Sequence, residues 1–262
     1  MDQSNTKTKQ YVISPAAGKR MIAKAMLLIP SIRDALANRT VVVIAGTTNG
    51  YVAEEFLKKM GQTDGFSRKN FFRGITLPPK NEKTDTGRVK DESRFIGDVV
   101  IVRGNWEKGR TIFDAADSLV QGDVILKGAN AVNLTTMQAA ILIGDRAAGT
   151  INPTLQCAVG RRVELFLPVG LEKRITGDIG EIARRLNSTS AAGVRYMPVF
   201  GNVITEIQAI KLICGADAEL IASGGVNGAE GTYWIAVTGN EEQLNGMDEL
   251  FKAVHNEPNF EL

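Results

Sequence analysis

Apolar residues recur along this chain in two rhythms, and the alternation between them predicts its architecture. Over residues 16–29, Met21, Ile22, Ala25, Met26, Leu28 and Ile29 fall at helical spacing behind a Ser14-Pro15 start signal, so a first helix is expected there. Residues 40–45, Thr-Val-Val-Val-Ile-Ala, form a β-branched run apolar on both faces, as a strand covered by helices requires. Gly46 to Gly50 then turn the chain into a helix over 51–60, with Val52, Phe56, Leu57 and Met60 on one face. Residues 61–94 break the rhythm with Gly, Pro78-Pro79 and many charges, which reads as an excursion or lid. Further strands are expected at 98–102, 123–126, 139–143 and 163–167, with helices over 111–119 and 178–186. The fold class expected is α/β, a mostly parallel sheet with helices on both faces and right-handed crossovers.

The small, polar stretch 187–193 marks the best candidate boundary. It would separate an α/β domain over 11–186 from a smaller α+β unit over 194–262, read as strand 196–200, helix 203–214, strands 218–223 and 232–237, and helix 241–254. Residues 1–10, rich in Gln, Ser, Asn, Thr and Lys, are expected to be a loose tail.

Charge changes this picture little. The chain carries 31 Lys and Arg against 29 Asp and Glu, a net +2, with no basic run to follow a phosphate backbone, so nucleic acid is not an expected partner. Cys157 and Cys214 lack CxxC spacing or a histidine cluster and are expected to be reduced thiols, with no metal and no cofactor. No apolar run is long enough to cross a bilayer and the first ten residues are polar, which points to the cytoplasm and away from a membrane. Homo-oligomeric association is expected from architecture alone.

Ligands of an open parallel sheet bind beyond the carboxyl ends of its strands. The loops to read are therefore 46–50, 103–106, 127–130, 144–150 and 168–174, all containing Gly and all but the first containing Lys or Arg. That composition points to an anionic small molecule, with backbone free to approach it. Gly46, Thr47, Thr48 and Asn49 offer N–H groups and hydroxyls to a phosphate, or else simply cap the following helix. Lys127, Asn130, Arg146 and Lys173, with Arg174 beside the last, could surround such an anion or face solvent. Asp145, Glu172 and Glu54 are the nearest acids, at no spacing that identifies a general acid and base. His255, the only histidine, falls at the end of the last helix, where it would face the helix dipole.

The order of these loops resembles the ribose-5-phosphate isomerase, sugar-phosphate isomerase and CoA-transferase-like superfamily. The similarity covers residues 16–174: the opening helix, strand and Gly46-Thr47-Thr48 loop, then Leu126 to Asn133, then Ile143 to Gly149, then Gly170 to Lys173. It implies a phosphate loop followed by acidic, glycine-rich and Glu-Ser-Lys-type loops, with a small second domain. This chain departs from the isomerases where Lys127 and Asn130 replace their loop aspartates, and their catalytic lysine and glutamate lack counterparts near 144–150. Isomerisation needs a carboxylate base, so what carries over is the anion pocket. Three functions stay open: an enzyme or former enzyme binding a phosphorylated molecule, a non-catalytic sensor or assembly protein, and a CoA-ester or acyl transferase with Glu172 as nucleophile.

Overall fold

The computed structural model describes residues 6–260 apart from 75, 78–81, 83 and 87. In chain order its elements are β1 (Lys7–Ile13), α1 (Pro15–Met26), α2 (Pro30–Asn38), β2 (Thr40–Val43), α3 (Thr47–Met60), β3 (Val99–Val102), β4 (Asn105–Trp106), α4 (Ile112–Ala115), β5 (Val124–Leu126), β6 (Ala131–Asn133) and β7 (Gln138–Ile143). There follow α5 (Ile151–Gly160), β8 (Glu164–Pro168), β9 (Arg174–Ile175), α6 (Ile179–Leu186), β10 (Arg195–Val199), β11 (Asn202–Ile204), α7 (Glu206–Cys214), β12 (Asp217–Ser223), β13 (Tyr233–Gly239) and α8 (Glu241–Val254).

Local chemistry sets the helix ends. Ser14 accepts a hydrogen bond from the Ala17 N–H at 3.1 Å and Pro15 opens α1, where its missing N–H is no loss. The helix expected over 16–29 stops at Met26, and Pro30 starts α2 on its own axis. Thr111 and Asp114 form a capping box, but the helix expected over 111–119 is a single α-helical turn continued as a 3-10 turn.

The chain is mixed α/β with three sheets, part of whose pairing is parallel. The six-stranded sheet has the order β11-β8-β5-β2-β3-β4. Its first four strands run parallel, whereas β3 runs antiparallel to β2 and β4 antiparallel to β3. The strand expected at 98–102 thus pairs with β2 in the opposite sense, and the one at 139–143 leaves this sheet altogether. It is β7 of a second sheet, β10-β7-β6-β9, whose pairing is antiparallel except between β6 and β9. The third sheet, β1-β13-β12, is antiparallel.

These pairings correct the expected division at 187–193. Strand β10 pairs with β7 from Arg195 opposite Ile143 to Val199 opposite Ala139, and β11 extends the main sheet beside β8, so residues 195–204 belong with the earlier strands. Residues 7–10 are no tail, since β1 pairs with β13 from Lys7 opposite Gly239 to Ile13 opposite Tyr233; residues 1–5 lie outside the described residues. Polar composition misleads at β1 because one of its faces is open, and only Tyr11 and Ile13 are buried.

Alternate residues of β2 enter two cores. Val41 and Val43 pack in a cluster with Met21, Phe56 and Tyr233, which joins α1, α3 and the third sheet. Val42 and Ile44 pack with Ile112 and Cys157 from α4 and α5 and with Val132 and Ile141 of the second sheet, so that side is covered partly by strands. Cys157 and Cys214 are free. Among the described residues no helix is long and apolar enough to cross a membrane.

Polar contacts lock α1 to its neighbours. The buried Arg20 guanidinium binds Glu54, Glu55 at 2.6 Å and Glu257 at 2.9 Å, joining α1, α3 and the segment after α8. Arg20 and Arg68 also lie against the Tyr51 ring, 4.9 and 4.5 Å from its centroid. Gly18 sits where α1 meets the Tyr233 hydroxyl and the Glu206 carboxylate, and a methyl group there would overlap both. Gly18→Ala should therefore destabilise the protein by about 1–3 kcal/mol in urea unfolding, although alanine in a helix interior is normally favoured over glycine. Equal or greater stability would show that the contact yields.

Candidate functional site

Strands β2, β5 and β8 end side by side, and a cavity of about 690 Å³ opens beyond them. Its floor is Ala45 to Thr48, Lys127 to Asn130 and Glu172 to Arg174. The end of β7 and the start of α5 form one wall, and Phe72, Arg73 and Arg88 from the expected excursion contribute to another. Phe260 closes over Phe72 with ring centroids 5.4 Å apart.

Two buried polar side chains hold the floor. Asp98, fully buried, accepts the Ala45 N–H at 2.9 Å through Oδ1 and the Ile112 N–H at 2.8 Å through Oδ2. Burial raises its pKa against the pull of those N–H groups and of Arg73 and Lys127. Asn49 donates through Nδ2 to the Ile44 carbonyl at 2.7 Å and the Leu126 carbonyl at 2.9 Å, tying the ends of β2 and β5 together. Asn49 is therefore a strap beneath the floor and does not line the cavity as a ligand residue would.

Gly46 precedes α3 without a side-chain cap, so the first N–H groups of this helix of 14 residues stand at the cavity. A side chain at Gly46 would meet nothing within 4 Å, so the approach to that backbone is open. Thr47 and Thr48 both line the cavity; Thr48 is 2% exposed and its Oγ1 has no hydrogen-bond partner among the described residues.

Lys127 projects from the end of β5, and its one hydrogen bond among the described residues is a long one, 3.5 Å, to the Gly128 carbonyl. Desolvation lowers its pKa to about 8; Asp98 opposes the shift, and the charges of Lys173 and Arg73 add to it. Lys173, on the 3-10 turn after β8, is also lowered, first by burial and then by Lys19, against Glu172 and Glu206. Asn130 lines the cavity while its Oδ1 accepts the Leu142 N–H at 3.0 Å, which extends the β6–β7 pairing at the cavity end.

Arg146 is not brought to this site. The Ala147 N–H binds Asp145 Oδ1 at 2.7 Å and Ala148 turns back at φ 64°, so the loop points Arg146 outward. It is exposed beside a separate recess with Asp85 and Arg195. The expectation that it joins Lys127 fails because, although Gly144, Asp145 and Ala148 to Thr150 of the same loop line the cavity, Arg146 itself is exposed on the other side of the loop. Glu54 is likewise elsewhere, in the Arg20 network, whereas Asp145 and Glu172 line the cavity. His255 is exposed at the end of α8, stacked on Phe251.

The Glu172 Oε1 pairs with Lys19 at 2.9 Å, while its buried Oε2 has no partner among the described residues. Burial pushes this carboxyl up, but Lys19 and Lys173 outweigh burial and hold it below its ordinary range. Beneath the turn, the fully buried Glu206 accepts the Leu171 N–H at 2.9 Å and the Tyr233 hydroxyl at 2.7 Å. The turn that presents Glu172 and Lys173 is thus held by α7 and β13, residues no local motif could have connected to it. Asp98 had a weaker signal: like Asp123, it immediately precedes a β-branched run, and both accept backbone N–H groups. Arg73 and Arg88 had none, coming from a stretch without periodicity.

No protein-family model, curated protein or solved structure matches the chain.

Burial and the neighbouring Glu172 charge raise the Glu206 pKa. The folded chain therefore binds more protons than the unfolded chain between about pH 5 and 7, and this group's contribution to stability falls as pH rises across that window. Glu206→Gln should flatten the fall in a urea-midpoint profile. An unchanged profile would assign the slope to another group.

Proposed function

We propose that this cavity binds a phosphorylated or otherwise anionic small molecule, its anion held by the N-terminus of α3, Thr48, Lys127 and Lys173. The observation that carries the reading is Lys127: a desolvated ammonium, lowered to about 8, in a cavity of metabolite size, with no carboxylate in ion-pair contact among the described residues. Lys127 is half-buried, and a partly desolvated cation without a counter-charge is unfavourable, so an anion binding beside it returns the lost interaction. Thr48 adds a second, independent sign, a buried hydroxyl without a partner at an uncapped helix start.

Glu172 supports a second reading, acyl transfer from a CoA ester, because it is an ionised carboxylate that lines the cavity. Trapping of a hydroxamate at Glu172 after incubation with acetyl-CoA and hydroxylamine would favour that reading, and its absence would remove it.

Calorimetric titration with glycerol phosphate tests the first reading. Lys127→Met should weaken binding roughly 10- to 100-fold, the worth of a charge-assisted hydrogen bond, and Thr48→Val about fivefold. Arg146→Ala should leave the affinity unchanged. Affinity should also fall as pH rises above about 8, because Lys127 then loses its proton. Equal affinities for wild type and Lys127→Met would overturn the assignment.

A further inference from the structure

We propose that the Lys127 amine forms an imine with the carbonyl carbon of a small phosphorylated ketone or aldehyde held in this cavity. The inference rests on the anion reading above and narrows its ligand class.

Geometry is its foundation. Lys127 stands at the end of β5 between two loops, with the N-terminus of α3 on one side and Lys173 on the other. Those two features share the phosphate with it. Asp98, whose negative charge acts on Lys127, already has its two oxygens engaged by the Ala45 and Ile112 N–H groups, and no ion pair to Lys127 forms among the described residues. The amine thus has no structural duty: its one hydrogen bond is the 3.5 Å contact to Gly128. Buried structural lysines are ordinarily tied down, as Lys19 is to Glu172 at 2.9 Å and to the Pro15 carbonyl at 3.3 Å.

The protonation state agrees with this arrangement. With its pKa lowered to about 8 by desolvation, Lys127 carries a larger share of neutral amine near neutral pH than an ordinary lysine does. Desolvation and neighbouring cations are the established ways to make a lysine nucleophilic. The amine nitrogen attacks the carbonyl carbon to give a carbinolamine; both amine hydrogens and the carbonyl oxygen then leave as one water, and a carbon–nitrogen double bond remains.

The test uses the full chain with dihydroxyacetone phosphate and sodium cyanoborohydride, which delivers hydride to the imine carbon and leaves a stable secondary amine. Peptide mapping by mass spectrometry should find Lys127 as the main modified lysine, with labelling that rises as pH is raised from 6.5 to 8.5. Lys127→Arg should abolish the label, because a guanidinium does not form the imine. Label spread over exposed lysines, or concentrated on Lys173, would overturn the imine. Glycerol phosphate binding without labelling of Lys127 would also overturn it and leave the anion reading standing. Failure of glycerol phosphate to bind, with no labelling, would overturn both.

Discussion

Where β2 and β5 end side by side, the chain departs in two directions and leaves backbone groups that sheet pairing cannot satisfy. Their satisfaction is the constraint on which the site depends. Asn49 takes the Ile44 carbonyl and shares the Leu126 carbonyl with the Ile44 N–H, and Asp98 takes the Ala45 N–H from the other side. With those groups engaged from below, Gly46 to Thr48 are free to present uncapped N–H groups and a hydroxyl upward. The same Asp98 charge lies near enough to Lys127 to oppose its loss of a proton without pairing with it. One pair of structural polar side chains thereby shapes both the floor and the electrostatics of the cavity.

The second constraint comes from far along the chain. The turn bearing Glu172 and Lys173 is hydrogen-bonded to Glu206, which is held by Tyr233, which packs against Gly18. Strand β13 is in turn paired with β1. A substitution in the third sheet can therefore reach the cavity through two hydrogen bonds, and the C-terminal third serves as scaffold for the site rather than as an appended unit.

This arrangement explains what could be read from residue order. The strands at 40–45, 123–126 and 163–167 and the loops after them were legible because buried parallel strands are continuously apolar and their loops rich in glycine. Thr47, Thr48, Lys127, Asn130 and Lys173 meet at one cavity for that reason. Strand direction was not legible: the run 98–102 looks like its parallel neighbours but follows an excursion that returns it antiparallel. Nor was sheet membership, since an apolar run such as 139–143 suits either sheet. Asn49 carries the right chemistry for a ligand and is consumed by the backbone instead, through the Ile44 and Leu126 carbonyls.

The central claim is that Lys127 is a desolvated cation awaiting an anion, and its own titration examines this most directly. In protein labelled with carbon-13 and nitrogen-15 at lysine, the Lys127 Cε shift should titrate near pH 8 in the free chain, and at higher pH in the presence of saturating glycerol phosphate. A midpoint near the ordinary lysine value of about 10.4, unmoved by glycerol phosphate, would contradict the account.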